Sequence, residues 1–119
     1  MSQPDWLEKL FEAIDAKDAA AFAEFLTEDA VFRFGNGAPS RGRDEVREAV
    51  AAFFAGVKSL KHSIRESWTV SDAVVMHGEV TYTRHDGSQL SVPFANVFKL
   101  DGARVREYLI FADASQLWS

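Results

Sequence analysis

Apolar and polar residues change rhythm along this chain, and the changes mark its elements. Trp6, Leu7, Leu10, Phe11 and Ile14 recur at helical spacing, which predicts an amphipathic helix to about Ala16. Ser2 and Asp5 frame its start, with Pro4 in the first turn, where a missing N–H does no harm. Asp18 can cap a second, short helix carrying Phe22, Phe25 and Leu26. Thr27-Glu28-Asp29 breaks that pattern, and Ala30 to Phe34 alternates as a short strand. After the turn-rich Gly35-Asn36-Gly37-Ala38-Pro39, Asp44 and Glu45 open a third helix. Val46, Val50, Phe53, Phe54 and Val57 form its apolar stripe, and Gly56 lies near its end.

From Leu60 to Asp113 the period drops to two. Turn signals at Ser71-Asp72, Asp86-Gly87 and Asp101-Gly102 divide this stretch into four long strands, an antiparallel meander. Reading each turn as a two-residue loop sets the register. His77 then faces Glu66 and Asn96, and Asn96 faces Glu107. Glu79 faces Ile64 and Phe94, and Phe94 faces Leu109. Trp68, Val75, Phe98 and Val105 make a further row on this side, as do His62, Thr81, Val92 and Phe111, with Asp113 at the same parity. The result is an apolar face holding a cluster of ionisable groups, which a plain core would not tolerate unpaired. The other face carries Val74, Met76, Val80, Tyr82, Ala95, Val97, Tyr108 and Ile110, flanked by Arg65, Lys99, Arg104 and Arg106. An apolar patch with a charged margin is the anatomy of a subunit interface, here of a homodimer.

The order helix, helix, strand, helix, four strands predicts an α+β cone. Three N-terminal helices pack on a curved antiparallel sheet and leave a pocket between the two layers. The whole chain, residues 1–119, reads as one domain. A net charge of −5 argues against nucleic acid and anionic membrane as partners. The absence of cysteine excludes a disulfide framework and suits a reducing cytoplasm. No signal peptide or spanning segment is visible. His62, His77 and His85 are scattered, and no HExxH, CxxC, GxGxxG or GK[ST] motif is present, so neither metal nor cofactor is expected.

Glu28-Asp29-Ala30-Val31-Phe32, Gly42, the Asp86-Gly87 hairpin, Val97-Phe98-Lys99-Leu100-Asp101-Gly102 and Tyr108-Leu109-Ile110-Phe111-Ala112-Asp113 together resemble the SnoaL-like branch of the nuclear transport factor 2-like superfamily. That branch includes ketosteroid isomerases, limonene epoxide hydrolases and polyketide cyclases. The resemblance implies a cone-shaped, cystatin-like α+β barrel. It also implies a cofactor-free isomerase, cyclase, dehydratase or epoxide hydrolase acting on a small apolar substrate, or a non-catalytic module of the same fold. Asp113 matches a pocket carboxylate at the end of the last strand. His77-Gly78-Glu79 matches the Arg-x-Asp pair of the epoxide hydrolases, with histidine in place of arginine. The position of the steroid isomerases' catalytic Asp is Phe34, and Asn96 matches their oxyanion-binding Asp.

Asp113, Glu79 and His77 are therefore the candidate catalytic groups. Asn96, His62, Trp68, Phe94, Phe98, Phe111 and Phe34 are the candidate ligand contacts. Structural alternatives stand beside these readings. Asp113 with Gln116 fits a capping box for a short C-terminal turn, and Glu79 with His77 can form a satisfied pair.

Overall fold

A computed structural model describes residues 4–118. Ser2, half of the proposed helix start, lies outside the described residues. Helix α1 spans Asp5–Asp15, and its N-cap Pro4 makes no side-chain cap hydrogen bond. Leu7, Leu10, Phe11 and Ile14 are buried along one side of α1. Each such residue contributes about 1.5–3 kcal/mol by leaving water. Helix α2, Ala19–Ala23, is capped by Asp18, whose carboxylate accepts the Ala21 N–H at 3.0 Å. Leu26, expected on this helix, instead begins strand β1, Leu26–Phe34. A two-residue strand β2, Ser40–Arg41, precedes helix α3, Arg43–Ala55. Gly42 caps α3 at φ +94°, a conformation open to glycine. The Glu45 carboxylate accepts the Arg41 N–H at 2.6 Å.

Four long strands follow: β3 Ser59–Val70, β4 Ala73–Thr83, β5 Gln89–Asp101 and β6 Arg104–Phe111. The sheet order is β2-β1-β6-β5-β4-β3. The meander is antiparallel as expected, but β1 joins β6 in parallel, so the six-stranded sheet is mixed and does not close. Helices on one face of this sheet make the cone-shaped α+β fold. A 3₁₀ turn, Ser115–Trp118, ends the described chain. Among the described residues no helix is long and apolar enough to cross a membrane.

The Ser71-Asp72 loop has two residues as expected, but along each of the three strand pairs the register departs from simple two-residue counting. Between β3 and β4 the expected pairs hold as far as Glu66 opposite His77, and a bulge at Arg65 then shifts the ladder so that Ile64 faces Gly78 and His62 faces Val80. Gly78 permits this close approach, because a Cβ there would lie 1.9 Å from the Ser63 carbonyl oxygen. Between β4 and β5 the loop has three residues, His85-Asp86-Gly87. The Gly87 N–H donates to the Arg84 carbonyl (2.9 Å), the Arg84 N–H donates to the Ser88 carbonyl (2.8 Å), and Gly87 sits at φ +90°. Asp86 fixes this form by accepting the Ser88 N–H at 2.9 Å and hydroxyl at 2.6 Å, and these bonds hold its carboxyl below the usual range. Between β5 and β6 the loop is Gly102-Ala103, and a bulge between Lys99 and Leu100 adds a further shift.

The consequence is a correction of faces. Phe94, Asn96 and Phe98 of β5 point into the core as expected. Their neighbours there are Val74, Met76, Val80 and Tyr82 of β4 and Tyr108 and Ile110 of β6, the residues expected outside. His77, Glu79 and Thr81 move to the outer face with Trp68, Val75, Leu109 and Phe111.

Candidate functional site

A cavity of about 450 Å³ opens between the helices and the inner face of the sheet. Phe22, Phe32, Phe34, Phe53, Phe54 and Trp118 supply much of its wall, with Ile14, Val50, Leu60 and Ile110. Gly37, Ala38, Ser40, Ser115 and Trp118 also line it. Phe53 anchors the aromatic wall: it stacks on Phe34 at 6.0 Å and meets Tyr82 and Trp118 edge-on at 5.8 and 5.9 Å. Among the described residues no Lys, Arg, Asp or Glu lines the cavity; the polar side chains there are Ser40, His62, Tyr82, Tyr108 and Ser115. Such a container suits a neutral, largely apolar molecule.

His62 has the most developed polar setting of these. Asp15, the last residue of α1, takes the His62 backbone N–H on Oδ2 at 3.0 Å and meets His62 Nδ1 with Oδ1 at 2.7 Å. An ionised Asp15 requires the proton on Nδ1, which leaves the Nε2 lone pair as the basic site of the neutral ring. No residue among those described hydrogen-bonds Nε2. Phe11, one helical turn before Asp15, lies against the imidazole at 4.8 Å, and Phe94 meets it edge-on at 5.2 Å. The ring is thus fixed by a carboxylate on one side and by two phenyl rings on others.

Deeper, Asn96 on β5 and Tyr108 on β6 share the inner face, and Asn96 Nδ2 donates to the Tyr108 hydroxyl at 3.3 Å. Burial pushes the Tyr82 phenol up to about 12 and raises Tyr108 further. Both hydroxyls stay protonated at any working pH.

The sequence-based candidates separate into three groups. Phe34 and His62 line the cavity, and Phe94, Phe98 and Asn96 are buried beside it. Trp68 (44% exposed) and Phe111 (55% exposed) lie on the outer face, with Trp68 stacked on His77 at 5.7 Å. His77 Nε2 approaches Glu66 at 3.4 Å, and Glu79 sits in a shallow polar groove with Ser63, Thr81 and Thr83. The chain does not bring His77, Glu79 and Asn96 together. Asp113 follows β6, exposed, and its Oδ1 accepts the Ser115 N–H at 3.0 Å; the Ser115 hydroxyl first, and then this N–H, hold its carboxyl below the usual range. Asp15, Tyr82 and Tyr108 were not foreseen at the cavity. Asp15 did carry a signal, since an acidic residue in the last turn of a helix opposes the macrodipole. Among the described residues no three His, Asp or Glu side chains converge as a metal site.

No curated protein matches the sequence. Solved structures match it closely in fold. A hypothetical protein with a ketosteroid isomerase-like fold from Catenulispora acidiphila DSM 44928, in complex with trimethylamine, superposes with a TM-score of 0.88 at 16% identity, covering 96% of this chain and 89% of that one. A protein from Jannaschia sp. CCS1 classed as a SnoaL-like polyketide cyclase gives 0.83 at 17% identity, over 99% and 94% of the two chains. An epoxide hydrolase from M. tuberculosis of the LEH-like type gives 0.79 at 15% identity, over 94% and 83%. At these identities the likeness is one of fold. The family match is made by sequence, over residues 7–108 of the chain. This protein belongs to the SnoaL-like domain family, within the NTF2-like fold.

Proposed function

We propose that this domain binds a small, neutral, largely apolar organic molecule and performs cofactor-free acid–base chemistry on it. His62 takes and returns the proton, and Asp15 holds the imidazole in the required tautomer. The observation that carries this reading is the Asp15–His62 pair on the wall of a cavity otherwise built of aromatic and aliphatic side chains. Isomerisation, cyclisation, dehydration and epoxide opening all need one proton moved on a neutral substrate, and a positioned histidine contributes about 10²–10⁴-fold to such a step. Structural neighbours named as a cyclase and an epoxide hydrolase support this range of chemistry. The proposal moves proton transfer from Asp113, Glu79 and His77 to His62, because none of the first three lines the cavity.

The test is solvent exchange at carbon. A panel of aryl ketones and cyclic enones is incubated with the protein in D₂O, and loss of the α-proton signal is followed by NMR. Wild type is expected to exchange at least one ketone, His62→Gln to abolish the enhancement, and Asp15→Asn to lower it at least tenfold. Exchange that survives His62→Gln would refute the assignment.

One observation favours a second reading, that of a non-catalytic binding module. Asp15 bonds both the ring and the backbone of His62, so the pair also ties α1 to β3. Ligands that bind without exchanging would support it. We further propose a homodimer through the outer sheet face, which keeps Val97 and carries Trp68, Val75, Leu109 and Phe111 in place of Val74, Met76, Val80, Tyr82, Tyr108 and Ile110. Trp68, Val75 and Phe111 are exposed on that face. The cysteine-free composition supports a cytoplasmic location.

A further inference from the structure

Among the described residues the large exposed apolar side chains are Trp68, Val70, Val75, Phe111 and Trp118, and of these Trp118 alone lines the cavity. At 60% exposure its indole has one side on the cavity and another in solvent, so the ring stands at the boundary between them. The seat beneath the ring is shaped to receive it. Gly56 ends α3 at φ −78° and ψ −9°, a right-handed conformation open to any residue, so its backbone does not call for glycine. A Cβ there would lie 2.9 Å from Trp118 Cη2. What the position excludes is a side chain under the indole. Phe53, on the last turn of α3, meets the same ring edge-on at 5.9 Å.

The backbone that carries Trp118 is held by Arg84, which follows β4. Its guanidinium donates from Nη2 to the Gln116 carbonyl at 3.0 Å and from Nε to the Leu117 carbonyl at 3.2 Å. Nη1 donates to the Ser88 hydroxyl at 3.1 Å, so the planar fork joins the hairpin to the 3₁₀ turn in one geometry. His85, in the same hairpin, donates from Nε2 to the Ala55 carbonyl at 2.9 Å, beside Gly56. Leu117 is buried under the turn, and its N–H donates to the Ala114 carbonyl at 2.9 Å. A ligand chain that reaches the indole can go further only by lifting it from Gly56 and straining the two carbonyl bonds of Arg84.

We propose that Trp118 sets the length of ligand the cavity accepts, with Arg84 holding the ring in its seat. This rests on the reading of the cavity as a binding site for neutral apolar molecules, and it narrows the ligand to a compact one without a long alkyl chain. Trp118 touches the ligand and decides between short and long members of a series. Arg84 is a positioning residue, acting through the backbone of the turn.

The experiment measures affinity by calorimetry along two homologous series, the straight-chain phenyl ketones from acetophenone to octanophenone and the 4-alkylcyclohexanones. In wild type, affinity should rise about fourfold per added methylene while the chain is being buried, then stop rising or fall at a definite length. In Trp118→Ala the rise should continue past that length, and the longest ketone should bind about tenfold or more tightly than it binds wild type. Arg84→Met keeps the indole but releases the turn, and should move the limit in the same direction. Gly56→Ala, which takes the space of Cη2, should move it too. Loss of stability alone would weaken every ketone alike and leave the length of tightest binding unchanged.

Affinity that climbs without a limit through octanophenone in wild type would overturn the proposal. A limit that stays in place in Trp118→Ala would overturn it too, by moving the stop to another wall. A limit that moves in Trp118→Ala but not in Arg84→Met would strike out the role of Arg84. These outcomes leave the cavity reading intact. Binding of no ketone in either series would instead refute the cavity reading, and this inference with it.

Discussion

The two tyrosines allow a sharp test of how the cavity floor is built. The chain has no others. Both are 2% exposed, and burial raises both phenols, Tyr82 to about 12 and Tyr108 beyond it. In the unfolded chain both should ionise near the ordinary value of 10.0. Between pH 10 and 12 the folded protein therefore holds two protons that the unfolded chain releases. A group with a raised folded pKa contributes its full stabilisation below the unfolded pKa and loses it as pH rises. Each proton difference is worth about 1.4 kcal/mol per pH unit, so stability should fall by about 2.7 kcal/mol per unit above pH 10. Against a typical total of roughly 5–15 kcal/mol, such a slope brings unfolding within a few pH units. The assay is absorbance of tyrosinate at 295 nm during an alkaline titration, with circular dichroism recorded in parallel. The expected trace is flat through pH 10 and 11, followed by one cooperative step that ionises both phenols as the ellipticity is lost. A native-state transition near pH 10, with the fold intact, would refute the burial of that tyrosine.

Three further outcomes are expected. Gly78→Ala should cost about 2–3 kcal/mol or more in urea denaturation, because its Cβ would meet the Ser63 carbonyl oxygen at 1.9 Å and force the β3 bulge to move; an unchanged midpoint would refute the close approach. Light scattering at micromolar concentration should give twice the 13.3 kDa chain mass for wild type and the single mass for Phe111→Glu, whereas a monomeric wild type would remove the dimer proposal. Asp113→Asn should leave proton exchange unchanged and lower stability slightly at neutral pH. That stabilisation should be absent in acid even in wild type, since the Asp113 carboxyl is held low by Ser115 and its contribution is lost as pH falls through its folded pKa.

Much of the fold was legible because its signals are local. The stripe Leu7, Leu10, Phe11, Ile14 announces α1, and the stripe Val46, Val50, Phe54 announces α3, through spacing alone. Turn positions were equally plain, since Asp and Gly mark them. Loop length was not. Whether Asp86-Gly87 is a two-residue loop or the end of a three-residue one depends on the Ser88 hydrogen bonds to Asp86, and the difference of one residue reverses every side chain of β4 relative to β5. The bulges at Arg65 and Arg106 have the same effect and leave no mark in an apolar–polar count. Hence Asn96, Phe94 and Phe98 were placed correctly on β5, while His77 and Glu79 were exchanged for Tyr82, and Leu109 for Tyr108. Asp15 was hidden for another reason: its partner His62 lies 47 residues away, and only the packing of α1 on β3 brings them together.

The Arg65 bulge makes β3 a strand with two allegiances. Before it, His62 and Ile64 belong to the interior; beyond it, Glu66 and Trp68 belong to the exterior. Substitutions in the outer half can then accumulate under selection for surface contacts without disturbing the chemistry of the inner half, and the reverse is equally true. Insertion or deletion of a single residue between His62 and Glu66 has no such freedom, because it would trade the two surfaces at one stroke. Lineages of this domain should therefore diverge through exchanges on either side of the bulge, while the number of residues separating the two halves of the strand stays constant.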